Sequence, residues 1–194
     1  MFENAKARFA EKAKRILKIK TLRRFRQRED GAAAVEFALV ATPFLALTFA
    51  IMETAGVFFA GQALETATAD SARLIMTGQA QTQGFTQAQF KAQVCAKVYA
   101  LFDCTGGVYV DVKKYSSLSN VDTTKPIDAN GNLVKNFTYD PGGPGCLVVV
   151  KLLYEWPVYL SLMGLNLADM SGKKRLLVAT SAFRNEPYAT TGGC

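Results

Sequence analysis

REDGAAAVEFALVATPFLALTFAIMETAG, residues 28–56, decides how the rest of the chain is read. Between Ala32 and Met52 it carries one charge, Glu36. A helix that crosses a bilayer needs about 20 predominantly apolar residues. Val35–Met52 supplies eighteen, and Thr54–Ala60 prolong the run beyond Glu53. The run is apolar on all sides rather than along one stripe, which favours a helix in lipid over a helix against a soluble core. Pro43 removes one helical hydrogen bond, and membrane helices tolerate that loss. Glu36 is the anomaly, because a carboxylate inside a membrane helix costs roughly 3 kcal/mol.

Charge sets the orientation. Residues 1–30 hold eleven Lys and Arg against four acids, whereas residues 31–194 hold twelve of each. The net charge of +7 and the pI of 9.3 therefore belong to the first thirty residues. A Lys/Arg run can neutralise nucleic-acid phosphates, or it can hold the N-terminal flank of a membrane helix in the cytoplasm. The apolar run that follows at once selects the second reading. No nucleic-acid partner is expected, and membrane lipid is. Phe9, Ile16, Leu17, Ile19, Leu22 and Phe25 let the segment lie as an amphipathic helix on an anionic membrane face. A secretory signal peptide would have a shorter basic region and a shorter apolar one. Ala55 and Gly61 mark where such a signal would be cut.

The order of features is specific: basic leader, Gly31, four residues, Glu36, the aromatic Phe37, then an apolar helix. This order resembles the type IV prepilin processing site. The resemblance implies a cut by a membrane prepilin peptidase between Gly31 and Ala32, on the cytoplasmic side. Ala32 becomes the first residue and Glu36 the fifth of the mature chain. It also implies that Glu36 and Phe37 serve subunit docking and recognition, with the Glu36 carboxylate meeting the terminal amine of a neighbouring subunit. Such a pair offsets part of the desolvation cost and sets register. The finer resemblance is to the TadE-like family, minor pseudopilins of tight-adherence (Tad, or Flp) pilus systems. It is carried by V-E-F-A-L-V, the proline and the second glutamate, Glu53, over residues 28–60. Ala32 stands where type IV pilins proper have phenylalanine, and Phe37 where the Flp major pilin has tyrosine. Both departures point to an accessory pilin.

Beyond the apolar run, Leu64, Ala67, Ser71, Leu74 and Ile75 recur at helical spacing, a stripe suited to packing on the following domain. Gly78 and QAQTQG end the helix, and residues 76–85 read as a linker or a flexible stalk. Thr86 can cap the next helix, TQAQFKAQVCAKVYALFDC, with Phe90, Val94, Val98, Leu101 and Phe102 on one face. GGVYVDVKKY alternates as a half-buried strand, and Asn130–Gly131 supplies a turn. DPGGPG lacks the lysine and Ser/Thr of a phosphate loop and reads as a turn around Pro141 and Pro144. CLVVVKLLYEW is a strongly apolar strand, central in its sheet. PVYLSLMGLNL is an amphipathic or loop segment able to touch a membrane or another subunit. KKRLLVATSAFRNEP is the last strand. The expected fold is α+β: a long N-terminal membrane helix, a further helix, and an antiparallel sheet of three or four strands.

Cys95, Cys104, Cys146 and Cys194 all lie beyond the apolar run, in the part expected to face an oxidising compartment. Four cysteines allow three pairings. Cys95–Cys104, where a helix end folds back, and Cys146–Cys194, which ties the tail to the central strand, are favoured. The terminal GGC can alternatively bridge to another chain. The chain has no histidine, no Cys-x-x-Cys and no nucleophile motif, so no metal site, cofactor or catalytic residue is expected. Asp103, Asp111, Asp122 and Asp128 read as solvated surface.

The expected organisation is a cytoplasmic leader over residues 1–31, a transmembrane helix over 32–60, a helical stem and linker over 61–85, and a periplasmic α+β domain over 86–194. The expected protein is a pseudopilin of the bacterial inner membrane, not an enzyme, that contributes to pilus assembly and adherence. Its partners are the prepilin peptidase, other pilins and pseudopilins, and the inner-membrane assembly platform. An uncleaved single-pass protein with a periplasmic binding or scaffold head is the alternative.

Overall fold

A computed structural model describes residues 30–98, 102–159, 166–189 and 194. Most of the expected leader (residues 1–29), Leu101 in the expected helix, and residues 160–165 of the expected amphipathic segment lie outside the described residues. The chain divides into two compact units, Met1–Thr48 and Phe49–Cys194. One helix, α1 (Asp30–Met76), contains the boundary between them.

In the first unit, α1 is rich in alanine and leucine, good helix formers. Thr42 and Thr48 donate their hydroxyls to the carbonyls of Ala38 and Phe44, one turn back, at 2.7 and 2.9 Å. Both polar groups are thereby satisfied inside the helix, which a hydrocarbon environment requires. The apolar side chains stand outward: Val35, Phe37, Leu39, Val40, Phe44, Leu45 and Leu47 are all exposed.

In the second unit, α1 has a buried face. Val57, Ala60, Leu64, Ala67, Ser71 and Ile75 are buried at steps of three and four, the spacing of a helix packed on one side. The expected stripe therefore packs, with Leu74 at its half-buried margin. α1 stops where Gly78 takes φ +77°, with the Gly78 amide on the Ile75 carbonyl at 3.0 Å. The Tyr188 ring lies on this glycine, so a Cβ there would sit 2.5 Å from Tyr188 Cγ. The one-turn helix α2 (Gln79–Thr82) follows with Ala80 buried. Residues 76–85 are thus packed rather than a slack stalk.

Thr86 caps α3 (Gln87–Cys95), and Thr86 and Gln89 form a reciprocal capping box. Phe90 and Val94 bury its inner face. The expected helix ran to Cys104, but α3 ends at Cys95. Nine more helical residues would span about 13 Å, whereas the Cys95–Cys104 disulfide holds its two Cα atoms 5.6 Å apart. The chain must turn back, and it re-enters as the single turn α4 (Cys104–Gly107), capped by the Asp103 carboxylate on the Gly106 amide.

Three antiparallel strands form one sheet in the order β1-β2-β3: β1 (Val108–Tyr115), β2 (Leu147–Pro157) and β3 (Lys174–Arg184). β2 is central, as expected. Val108, Val110 and Val112 face the core with Val148, Val150 and Leu152, against α1 and α3. The opposite face is covered too, since Leu153, Met170 and Leu176 pack with Tyr109, Ile127, Leu133 and Phe137. Cover on both faces explains why β2 reads as a continuous apolar run rather than an alternating one. The cover is a small hairpin pairing Ile127 with Leu133. Its turn is closed by the Gly131 amide on the Asp128 carbonyl at 3.0 Å, with Gly131 at φ +78°. The turn therefore centres on Ala129–Asn130, one residue earlier than the expected Asn130–Gly131. Beyond it, Val112 exchanges hydrogen bonds with Thr138 and Asp140, which covers part of β1's outer edge.

Candidate functional site

Asp30 opens α1, so Gly31, Ala32, Glu36 and Phe37 all lie in its first two turns. Ala32 and Glu36 are four residues apart, hence neighbours on one helix face. A Cβ built on Gly31 meets nothing within 4 Å. Glycine is not required there by the packing of this chain. Phe37 is 75% exposed, and no side chain among the described residues pairs with Glu36. The first turns thus present a carboxylate and an aromatic ring among exposed apolar side chains of the same helix. The helix contains an 18-residue stretch of mean hydropathy 2.0, long and apolar enough by length and composition to cross a membrane.

The second glutamate lies elsewhere. Glu53 is half-buried, and its Oε1 accepts the Tyr159 amide at 2.6 Å, just past the end of β2. Glu53 therefore anchors the end of the sheet to α1, a role for which its local sequence holds no signal.

The four cysteines form Cys95–Cys104 and Cys146–Cys194, with Cα atoms 5.6 and 5.3 Å apart. These are the two pairings that the sequence favours, and no free thiol is left for a bridge to another chain. DPGGPG is a turn: Asp140 Oδ1 accepts the Gly142 amide, and Gly142 and Gly145 take positive φ. Asn185 donates to the Pro141 and Gly143 carbonyls, and Gln81 to Pro141, which ties α2, this turn and the end of β3 together.

Asp103, Asp122 and Asp128 are exposed, as expected, whereas Asp111 departs from the solvated surface expected of it. Asp111 is buried; it accepts the Thr138 amide at 2.9 Å and pairs with Lys113 at 2.9 Å. Asp103 caps α4. Asp122 accepts from Thr124, and Asp128 from the amides of Asn130 and Asn132. Those hydrogen bonds hold both carboxyls below the usual aspartate range. Each aspartate is a local brace rather than a reactive group. Among the described residues, no cluster of three or more His, Cys, Asp or Glu side chains is arranged to hold a metal.

Among the described residues, hollows flank the helices. One of about 390 Å³ is lined by Gln87, Lys91, Tyr109, Lys135 and Phe137 among others, with the Lys135 ammonium 4.9 Å above the Tyr109 ring. Another, of about 290 Å³, lies between the Thr54–Glu65 stretch of α1 and Leu167, Arg175 and Leu177.

The features that stand apart are therefore those of α1's first turns. Residues 31–73 match the family model of TadE-like proteins. The TadE-like match begins at Gly31 and covers α1 to within three residues of its C-terminus. No curated protein and no solved structure matches the chain. The likeness to TadE-like proteins is confined to residues 31–73, within the helix that is long and apolar enough to cross a membrane.

Proposed function

We propose that this chain is a minor pseudopilin of a Tad/Flp-type pilus. Residues 1–31 are a cytoplasmic leader that a prepilin peptidase removes after Gly31. The mature chain begins at Ala32, crosses the inner membrane within residues 32–60, and carries its stem (61–85) and α+β head (86–194) in the periplasm. Cleavage discards the whole net charge, since the remaining residues hold twelve cations and twelve anions. Within the membrane, the Glu36 carboxylate meets the new amine of a neighbouring pilin's first residue. Phe37 packs beside that pair. The head then meets other pilins and the assembly platform, and the chain serves pilus biogenesis and adherence.

The observation that carries this reading is the coincidence of the TadE-like match with an exposed apolar helix whose first turns hold Gly31 and Glu36. Gly31→Ala tests it. The helix has room for the added methyl group, so the variant keeps its fold, and any change in processing reports the peptidase's requirement. Immunoblots should reveal accumulation of the full-length precursor. Processing at the wild-type rate would count against a prepilin-type cut.

A further inference from the structure

Glu53 is the first charge after the uncharged run Phe37–Met52. Its hydrogen bond to the Tyr159 amide fixes one end of the sheet beside α1 at that level. At this sheet end, Pro157 is paired with Lys174 and Trp156 with Arg175, and the Val158 amide donates to the Lys173 carbonyl at 2.9 Å. Three consecutive cations, Lys173, Lys174 and Arg175, therefore stand next to Tyr159, whose side chain is 79% exposed. Lys174 pairs with Glu155 at 2.7 Å, and Arg175 donates to the Leu167 carbonyl at 3.1 Å. Lys173 is exposed and sits in the left-handed region at φ +56°, within the turn that brings β3 back against β2.

An amphipathic aromatic ring beside lysines, level with the point where an apolar helix regains charge, has the chemistry of the lipid–water interface. Tyrosine rings settle among headgroups, and lysines seek lipid phosphates. A second copy of the chain is a poorer occupant, because a symmetric contact would set these cations against their own counterparts.

We propose that this end of the sheet, through Tyr159, Lys173 and Lys174, rests on the phospholipid headgroups of the leaflet from which α1 emerges. The head is thereby seated on the membrane, and Glu53 is the peg that holds it there. The inference rests on α1 spanning the bilayer.

The test uses the full chain reconstituted into phosphatidylcholine vesicles containing phosphatidylglycerol. Trp156→Phe removes the single native tryptophan. In that background, Tyr159→Trp reports the sheet end and Phe49→Trp reports the span. Lipids brominated near the headgroup should quench and blue-shift the residue-159 fluorophore, and Lys173→Glu should weaken that quenching. Lipids brominated deep in the acyl chain should quench the residue-49 fluorophore. Quenching at 49 without quenching at 159 would overturn the seating while leaving the span intact. Absence of quenching at both would overturn span and seating together. A blue shift at 159 that ignores bromine and vanishes on diluting protein in lipid would assign the surface to a second copy, and so overturn the proposal.

Discussion

At the residue scale, two kinds of side chain matter: those that satisfy a neighbour and those that lack one. Asp111 belongs to the first kind. Asp111→Ala removes the acceptor of the Thr138 amide, and losing a hydrogen bond to a charged group costs about 1.5–3 kcal/mol. The thermal midpoint of the detergent-solubilised protein should fall accordingly, with little due to the half-exposed Lys113 partner. A variant as stable as wild type would show that this carboxylate does not brace the loop. Tyr139 belongs to the second kind. Its hydroxyl is buried with no hydrogen-bond partner, and burial pushes its pKa up to about 12. Because the folded value exceeds the unfolded value near 10, the stabilisation is complete below pH 10 and is lost as pH rises toward 12. Tyr139→Phe should therefore cost little stability at neutral pH, and denaturation midpoints above pH 10 should decline less steeply than in wild type. Equal alkaline decline in both proteins would assign the effect to another group.

At the element scale, the disulfides differ in the length of chain they close, nine residues apart for Cys95–Cys104 and 48 for Cys146–Cys194. Chain-entropy reasoning assigns about 2.7 kcal/mol to the shorter loop and about 4 kcal/mol to the longer. Replacing both partners by serine in each pair, followed by urea titration, should place the Cys146/Cys194 double variant lower. The reverse order would mean that native-state packing, not loop closure, dominates. The disulfides also mark how far the sequence could be read. Thr86, with Gln89 three residues on, announced the start of α3 by local chemistry alone. Periodicity does not mark its end at Cys95, because it continues through Val98; the Cys95–Cys104 pairing that the sequence favours is what breaks it. β2 was legible from its apolar run. The cover on its second face was not, because the Ile127–Leu133 hairpin that provides it is a short polar-looking stretch. Likewise, the Gly31-to-Glu36 spacing is a local signal, whereas the anchoring of Tyr159 by Glu53 joins residues 106 positions apart.

At the scale of the whole molecule, the chain combines a helix with an open apolar sleeve and a head with its own covered core. The leader concentrates the net charge, and the remainder is neutral. In the proposed function this distribution orients the N-terminus to the cytoplasm, and cleavage and lateral assembly come after insertion. The proposal has Glu36 connect cleavage to assembly, because a carboxylate in lipid is tolerable when an amine meets it. Glu36→Ala should therefore be processed normally yet fail to support piliation, scored by electron microscopy of a strain carrying only the variant. Unchanged piliation would remove Glu36 from the docking step.

The most direct measurement is the N-terminus of the membrane-associated protein, determined by peptide mass spectrometry in cells with and without the host's prepilin peptidase. A mature chain starting at Ala32 only when the peptidase is present is the predicted result. An intact Met1 in both strains, or a start beyond the apolar helix, would contradict assignment as a processed pseudopilin.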